Sequence, residues 1–180
     1  VDVYLHALND ESDRVINAAA IALGKSKSPR AFDALKKLVS KPSWKNQSLI
    51  SALYGMKELG DPRAVEIAYN ALRDLTSPHW TLGTPVWDYR IIAAQTIASL
   101  GEGKIAYPYM LEAFKKAMLE NDVHGIFYNT LLITELADER GQEIYDALKI
   151  KYKDDANAMT AVNQYETQWQ ASIKIKNEKK

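Results

Sequence analysis

Apolar residues recur along this chain at helical spacing, in paired stretches separated by polar punctuation. Residues 2–9 read as the tail of a helix, with Val3, Tyr4 and Leu8 apolar. A second helix is expected over 13–23, where Val15, Ala19, Ala22 and Leu23 share one face, and an antiparallel partner over 29–39, with Phe32, Leu35 and Val39 inward. Pro42 and its serine and lysine neighbours end that pair. A second pair is expected over 44–59 (Leu49, Leu53, Met56, Leu59) and 62–75 (Val65, Ala68, Leu72, Leu75). A third covers 87–100 (Tyr89, Ile92, Ala93, Thr96, Ile97, Leu100) and 104–119 (Tyr107, Leu111, Phe114, Met118). Pro108 is expected in or near the first turn of that last helix, since a proline in the interior would break it. A fourth pair spans 122–136 and 139–152. A final helix runs from about 155 to 173, with Met159, Val162 and Trp169 apolar and 174–180 a frayed basic tail.

The punctuation repeats. Leu23-Gly24, Leu59-Gly60, Leu100-Gly101 and Leu136-Ala137 each close the first helix of a pair, at spacings of 36, 41 and 36 residues. Glycine there suits a left-handed C-cap. Ser28-Pro29-Arg30, Asp61-Pro62-Arg63 and Asp138-Glu139-Arg140 then open the next helix, with a capping side chain and, twice, a proline at the first position. Two helices per unit at this period indicate a helical solenoid, in which no pair buries its own apolar face and neighbours must stack.

The run Val15 to Gly24 followed by Pro29-Arg30-Ala31, together with Leu59-Gly60-Asp61-Pro62-Arg63-Ala64, resembles HEAT repeats, especially the short HEAT-like class of bilin lyases. That resemblance covers about residues 13–153 in four units and implies an all-α, right-handed α-α superhelix with flanking helices. A narrower likeness is present. Pro78-His79-Trp80, the run Thr84 to Arg90, and Lys153 to Trp169 are similar to the C-terminal HEAT-type domain of some bacterial M1-family zinc aminopeptidases. That family's His-Glu-x-x-His signature and Gly-x-Met-Glu-Asn loop are both absent, so the resemblance implies the non-catalytic end of such an enzyme, in a periplasmic or secreted setting. The opening on Val1, almost at once in a helical pattern, reads as a piece of a longer protein; on its own the chain sets no compartment.

Composition narrows the chemistry. Lysine plus arginine equals aspartate plus glutamate, 23 each, so no global field draws the protein to nucleic acid or an anionic membrane. There are no cysteines, which removes disulfides and thiolate metal sites. No apolar run approaches the roughly 18 residues of a membrane span. His6, His79 and His124 are isolated in sequence, so no zinc pair is expected, and no glycine loop for phosphate is present. Nothing in the sequence asks for a cofactor, and no local signal points to a Ser-His-Asp cluster, which only folding could assemble.

Two sets of residues remain as candidates. The second residue of each hinge-following helix is basic: Arg30, Arg63, Lys104 and Arg140. A cation there opposes the helix dipole and needs compensation. It reads either as a ladder paired with acids of the adjacent repeat, or as an edge of cations for an acidic partner. The other set is Trp80, Trp87, Asp88 and Arg90, in and after the long connection 76–86, where tryptophan points to an interface or to a local lid. Trp44 is expected to staple its helix and Trp169 to seal the last repeat. From Lys25 to Lys45 there are seven basic residues and one acid, whereas Glu112 to Asp146 holds eight acids and three bases.

The whole reads as one HEAT-like domain over 1–173, a non-catalytic scaffold binding protein, with an M1-type catalytic domain as its expected partner. A free-standing adaptor and a chromophore-binding lyase are the rival readings.

Overall fold

The computed structural model describes residues 1–74 and 89–178, and every regular element among them is helical. Two compact units are present, 1–100 and 101–180. The first holds α1 (Asp2–Ala7), α2 (Asp13–Lys25), α3 (Ala31–Val39), α4 (Gln47–Leu59), α5 (Ala64–Arg73) and α6 (Tyr89–Ser99), with a 3-10 turn over Trp44–Asn46. The second holds α7 (Gly103–Glu120), α8 (Val123–Leu136), α9 (Gln142–Lys151) and α10 (Ala156–Glu178), with a 3-10 turn over Glu139–Gly141. The expected third pair therefore has one helix in each unit. The last residue of the expected 62–75 helix and the connection 76–86 lie outside the described residues.

In the first unit the leading helices stack, α2 on α4 and α4 on α6. The approach of α2 to α4 is unusually close because glycines meet. A Cβ on Gly24 would lie 2.1 Å from the Gly55 carbonyl oxygen, and one on Gly55 would lie 2.6 Å from the Ala20 carbonyl oxygen. Gly24 therefore sits inside α2 to permit contact, and the left-handed residue falls at Lys27. This corrects the expectation of a C-cap at Gly24. The cap geometry does hold at Gly60, Gly101 and Ala137, all with positive φ. The same close contact sets the buried face of α2. Ile16, Ala19, Ala20 and Leu23 are buried while Val15 is exposed, one position round from the expected stripe. On α3, Leu38 joins the core and Val39 packs against it partly buried, as expected; on α4 Ile50 is buried where Leu49 was expected. On α6 the expected stripe from Tyr89 to Ile97 is buried throughout, and Thr96 Oγ1 lies 2.7 Å from the Ile92 carbonyl and 3.3 Å from that of Leu53 on α4.

The second unit is built around Tyr107, Met110, Ile126, Leu132, Tyr145 and Val162. Asp122 caps α8 by accepting from the Gly125 N–H at 3.0 Å. Pro108 is the sixth residue of α7, one turn deeper than expected. Its missing N–H leaves the Lys104 carbonyl without its usual helical donor, and Arg140 Nη2 donates to that oxygen at 3.1 Å. Helix α10 continues through residues 174–178, where a frayed tail was expected. Lys176 Nζ reaches the Ala137 carbonyl at 3.2 Å and ties this last stretch to the α8 C-cap. Trp169 does seal its repeat. It is buried, stacks 5.2 Å from the Tyr145 ring, and donates from Nε1 to the Asp138 carbonyl at 2.9 Å. Trp44, in contrast, is 66% exposed with Lys45 Nζ over its ring, and does not staple α4. The left-handed backbone of Lys45 and Asn46 turns the chain just before that helix and leaves the indole outside.

Candidate functional site

The four basic hinge residues were the clearest candidates, and the structure shows what each one holds. At the second hinge, Asp61 Oδ1 accepts from the Arg63 backbone N–H at 2.9 Å. The same carboxylate receives the guanidinium, with Nη2 to Oδ2 at 2.7 Å and Nε to Oδ1 at 3.0 Å. The guanidinium carbon then lies 3.9 Å from the Phe32 ring centroid, on the second helix of the preceding repeat. At the fourth hinge the arrangement recurs. Asp138 accepts from the Arg140 N–H at 3.1 Å and from its Nε at 2.7 Å, and the guanidinium lies 4.4 Å from the Tyr107 centroid. The acid that compensates Arg63 and Arg140 thus stands two residues before each in its own hinge, not on the adjacent repeat as the ladder reading expected. The contribution from the neighbouring repeat is an aromatic face.

At the first hinge the cap is Ser28, whose Oγ accepts from the Arg30 N–H at 3.3 Å. Serine carries no charge to hold the fork, and Arg30 pairs instead with Asp2 at 2.6 Å. At the third hinge Lys104 is exposed, and its carbonyl rather than its ammonium enters the network, by accepting from Arg140.

The electrostatics follow from these bonds. The Asp61 carboxyl is held below its ordinary value, chiefly by the Arg63 side-chain hydrogen bond. At Asp138 burial pushes the carboxyl up, but the hydrogen bonds and charge of Arg140, with Lys176 behind, outweigh it and the net direction is down. Tyr107 and Tyr145 move the other way, both pushed well up, first by burial. They stay protonated and act as hydrogen-bonding groups. Tyr107 Oη lies 2.8 Å from the Arg140 carbonyl and 2.7 Å from Glu143 Oε1, and Tyr145 Oη lies 2.7 Å from Thr134 Oγ1. A nucleophile needs its proton weakened, and these phenols hold theirs more tightly.

Of the second candidate set, Trp80, Trp87 and Asp88 lie outside the described residues. Arg90 is 3% exposed on α6, and its Nε donates to the Leu72 carbonyl at 2.8 Å. It stabilises the C-terminal end of α5, and Tyr89 beside it donates to Asp74 Oδ2 at 2.7 Å. His6 and His124 are exposed, and His79 lies outside the described residues. Among the described residues no group of three or more His, Cys, Asp or Glu side chains could hold a metal ion. No helix among them is long and apolar enough to cross a membrane.

One further contact escaped the sequence. Lys27 Nζ donates to the Glu58 carbonyl, and to that of Leu59 at 2.9 Å. It thereby places a cation on the C-terminal carbonyls of α4, where the helix dipole favours one. Its only sequence signal was the longer first turn. No curated protein matches the chain. Residues 15–41, which cover most of α2, the first hinge and α3, match the family model of the PBS lyase HEAT-like repeat.

Proposed function

We propose that this chain is a non-catalytic HEAT-like interaction module. The observation that carries the reading is the stacking of α2, α4 and α6, whose first member, with α3, carries the HEAT-like match. The hinge arginines support it as well, because Arg63 and Arg140 are engaged by carboxylates and rings of the scaffold. In its finer form the module is the C-terminal solenoid of an M1-type metallopeptidase, packing on a catalytic domain and limiting access to it. That form is supported by the sequence likeness over 78–90 and 153–169 alone. Trp80, Trp87 and Asp88 would make its contacts, and Arg90 would anchor the helix that follows them. Residues 1–173 form one domain in this reading.

The purified chain is expected to leave amino-acid p-nitroanilides intact with or without added zinc; turnover abolished by a chelator would overturn the non-catalytic reading. The finer form expects the reading frame that encodes this chain to carry His-Glu-x-x-His upstream. A frame that opens near Val1 would favour a free-standing adaptor, and a shift in the absorbance of an added bilin would favour the lyase-like alternative.

A further inference from the structure

The first unit carries a groove of about 370 Å³ that the hinge network does not use. It lies between α1 and α3. Arg30 meets Asp2 near the start of both helices, and Lys41 Nζ donates to the Leu8 carbonyl at 3.3 Å near their ends. The two helices therefore run parallel, latched at both ends with space between. The volume sits at the low end of ligand clefts, about 300–1,000 Å³. Its floor is aliphatic. Leu5 and Ala34 are half-buried, and Leu8 and Leu38 reach it with their edges. Its rim carries Arg30, Lys37 and Lys41 against two carboxylates, Asp33 in the lining and Asp2 paired to Arg30, so one cation is in excess.

We propose that this groove binds an acidic peptide segment bearing aliphatic side chains, the carboxylates meeting the rim and the aliphatic groups the floor. The inference rests on the interaction-module reading and names its surface and the chemistry of its partner. Two observations select this occupant. Seven basic residues and one acid occupy Lys25 to Lys45, so the rim lies in the most basic stretch of a chain that is neutral overall. Arg30 already holds a carboxylate there, that of Asp2, in an ion pair whose two side chains are both exposed. Exposed pairs of this kind are weak, so an incoming glutamate can exchange for Asp2 at little cost. Nucleic acid fits less well, because no aromatic ring lines the groove to stack a base. A membrane fits less well because the leucines are recessed between the helices, whereas interfacial binding needs an apolar face presented outward.

The test is fluorescence anisotropy of the chain with a labelled octapeptide of alternating glutamate and leucine. Saturable binding is expected, weakened by salt, and lost when lysine replaces glutamate or serine replaces leucine in the peptide. Lys37→Glu, at an exposed position, should weaken binding roughly tenfold. Ala34→Leu should weaken it by filling the floor. Asp2→Asn should strengthen it, since it removes the internal competitor for Arg30; a merely structural Arg30–Asp2 pair predicts no such gain. Circular dichroism checks that each variant folds. Absence of saturable binding would sink the groove, as would equal affinity in Lys37→Glu and Ala34→Leu variants that remain folded. Displacement of the peptide by an oligonucleotide or an anionic vesicle, with no penalty for serine in place of leucine, would also sink it. Failure here without anilide hydrolysis leaves the interaction-module reading standing. Hydrolysis sinks that reading whatever the groove does.

Discussion

The hinges at Asp61 and Asp138 use the same three-residue device, yet they differ in what covers them. In each, an aspartate caps the following turn, the same carboxylate receives an arginine fork, and the arginine lies over a ring from the preceding repeat. At Asp61 little is added, and the carboxylate side chain is 21% exposed. At Asp138 it is 8% exposed. The Trp169 indole roofs the Asp138 carbonyl, and the Tyr107 hydroxyl meets the carbonyl of Arg140. Lys176 covers the Ala137 carbonyl, and the arginine reaches on to the carbonyl that Pro108 leaves open. One local instruction thus yields a solvated turn in the first unit and a roofed one in the second. The lesson is that a cap's worth depends on the desolvation around it, which a short motif does not encode.

Removing the roof should have the largest effect. Trp169→Ala deletes a buried aromatic and strands the Asp138 carbonyl, and is expected to destabilise the second unit by about 3–5 kcal/mol. Hydrogen exchange should show the amides around 138–145 opening, with those around 61–66 unchanged. Equal loss of protection at both hinges would break the contrast. Next comes the carboxylate itself. Asp138→Ala is expected to cost about 2–3 kcal/mol, because it leaves the partly buried Arg140 N–H and its guanidinium without their acceptor. Asp61→Ala removes a cap in a more solvated setting and should cost about 1 kcal/mol. Urea denaturation of both variants reads the difference, and equal costs would show that the roof adds nothing.

Part of this was legible from residue order, and the rest was hidden for definable reasons. The helical pairs and the α6 stripe followed from periodicity, because a 3.6-residue pattern with one wet face has one reading. The role of Gly24 did not follow. Leu23-Gly24 and Leu59-Gly60 look alike, yet only Gly60 takes the left-handed cap, while Gly24 meets the Gly55 backbone across two helices. That contact depends on a residue 31 positions away and also rotates the buried face from Val15 to Ile16. For the candidate ladder, the cations and their need for compensation were visible. Their partners were misplaced because residues two apart on a helix do not face each other. At a cap the backbone is not yet helical, and Asp138 in extended geometry turns its carboxylate back on Arg140. Phe32 and Tyr107 were seen as core residues, and nothing local marks them as platforms for an arginine.

Acid should narrow the contrast. Both aspartates have folded values below their ordinary ones. Their contribution is therefore present above the unfolded carboxyl value, about 4, and is lost as pH falls through the lower folded values. Asp138→Asn keeps a capping oxygen without the charge. The stability gap between wild type and this variant should be constant near neutrality and close as pH falls below about 4. A gap that widened in acid would mean that the Asp138 carboxyl is raised in the fold, and burial rather than Arg140 would then decide its state.

The smallest effect should come from the arginines. Lysine keeps the charge but has no planar fork, so it cannot bond bidentately while lying flat on a ring. Arg140→Lys would lose the paired bonds to Asp138 and the reach to the Lys104 carbonyl. Because this arginine is half-exposed, the expected loss is only about 1 kcal/mol. Arg63→Lys should be milder still. Among the described residues its guanidinium makes hydrogen bonds only within its own hinge, and water can replace what the fork supplied. The two variants also differ in where the effect falls. Loss of the Arg140 bond frees the Lys104 carbonyl at the break made by Pro108, so the amides of the first two turns of α7 should exchange faster. Exchange in Arg63→Lys should change only around 61–66. If α7 is unmoved in Arg140→Lys, the arginine is not what closes the gap in the helix, and the fourth hinge is held by its roof alone.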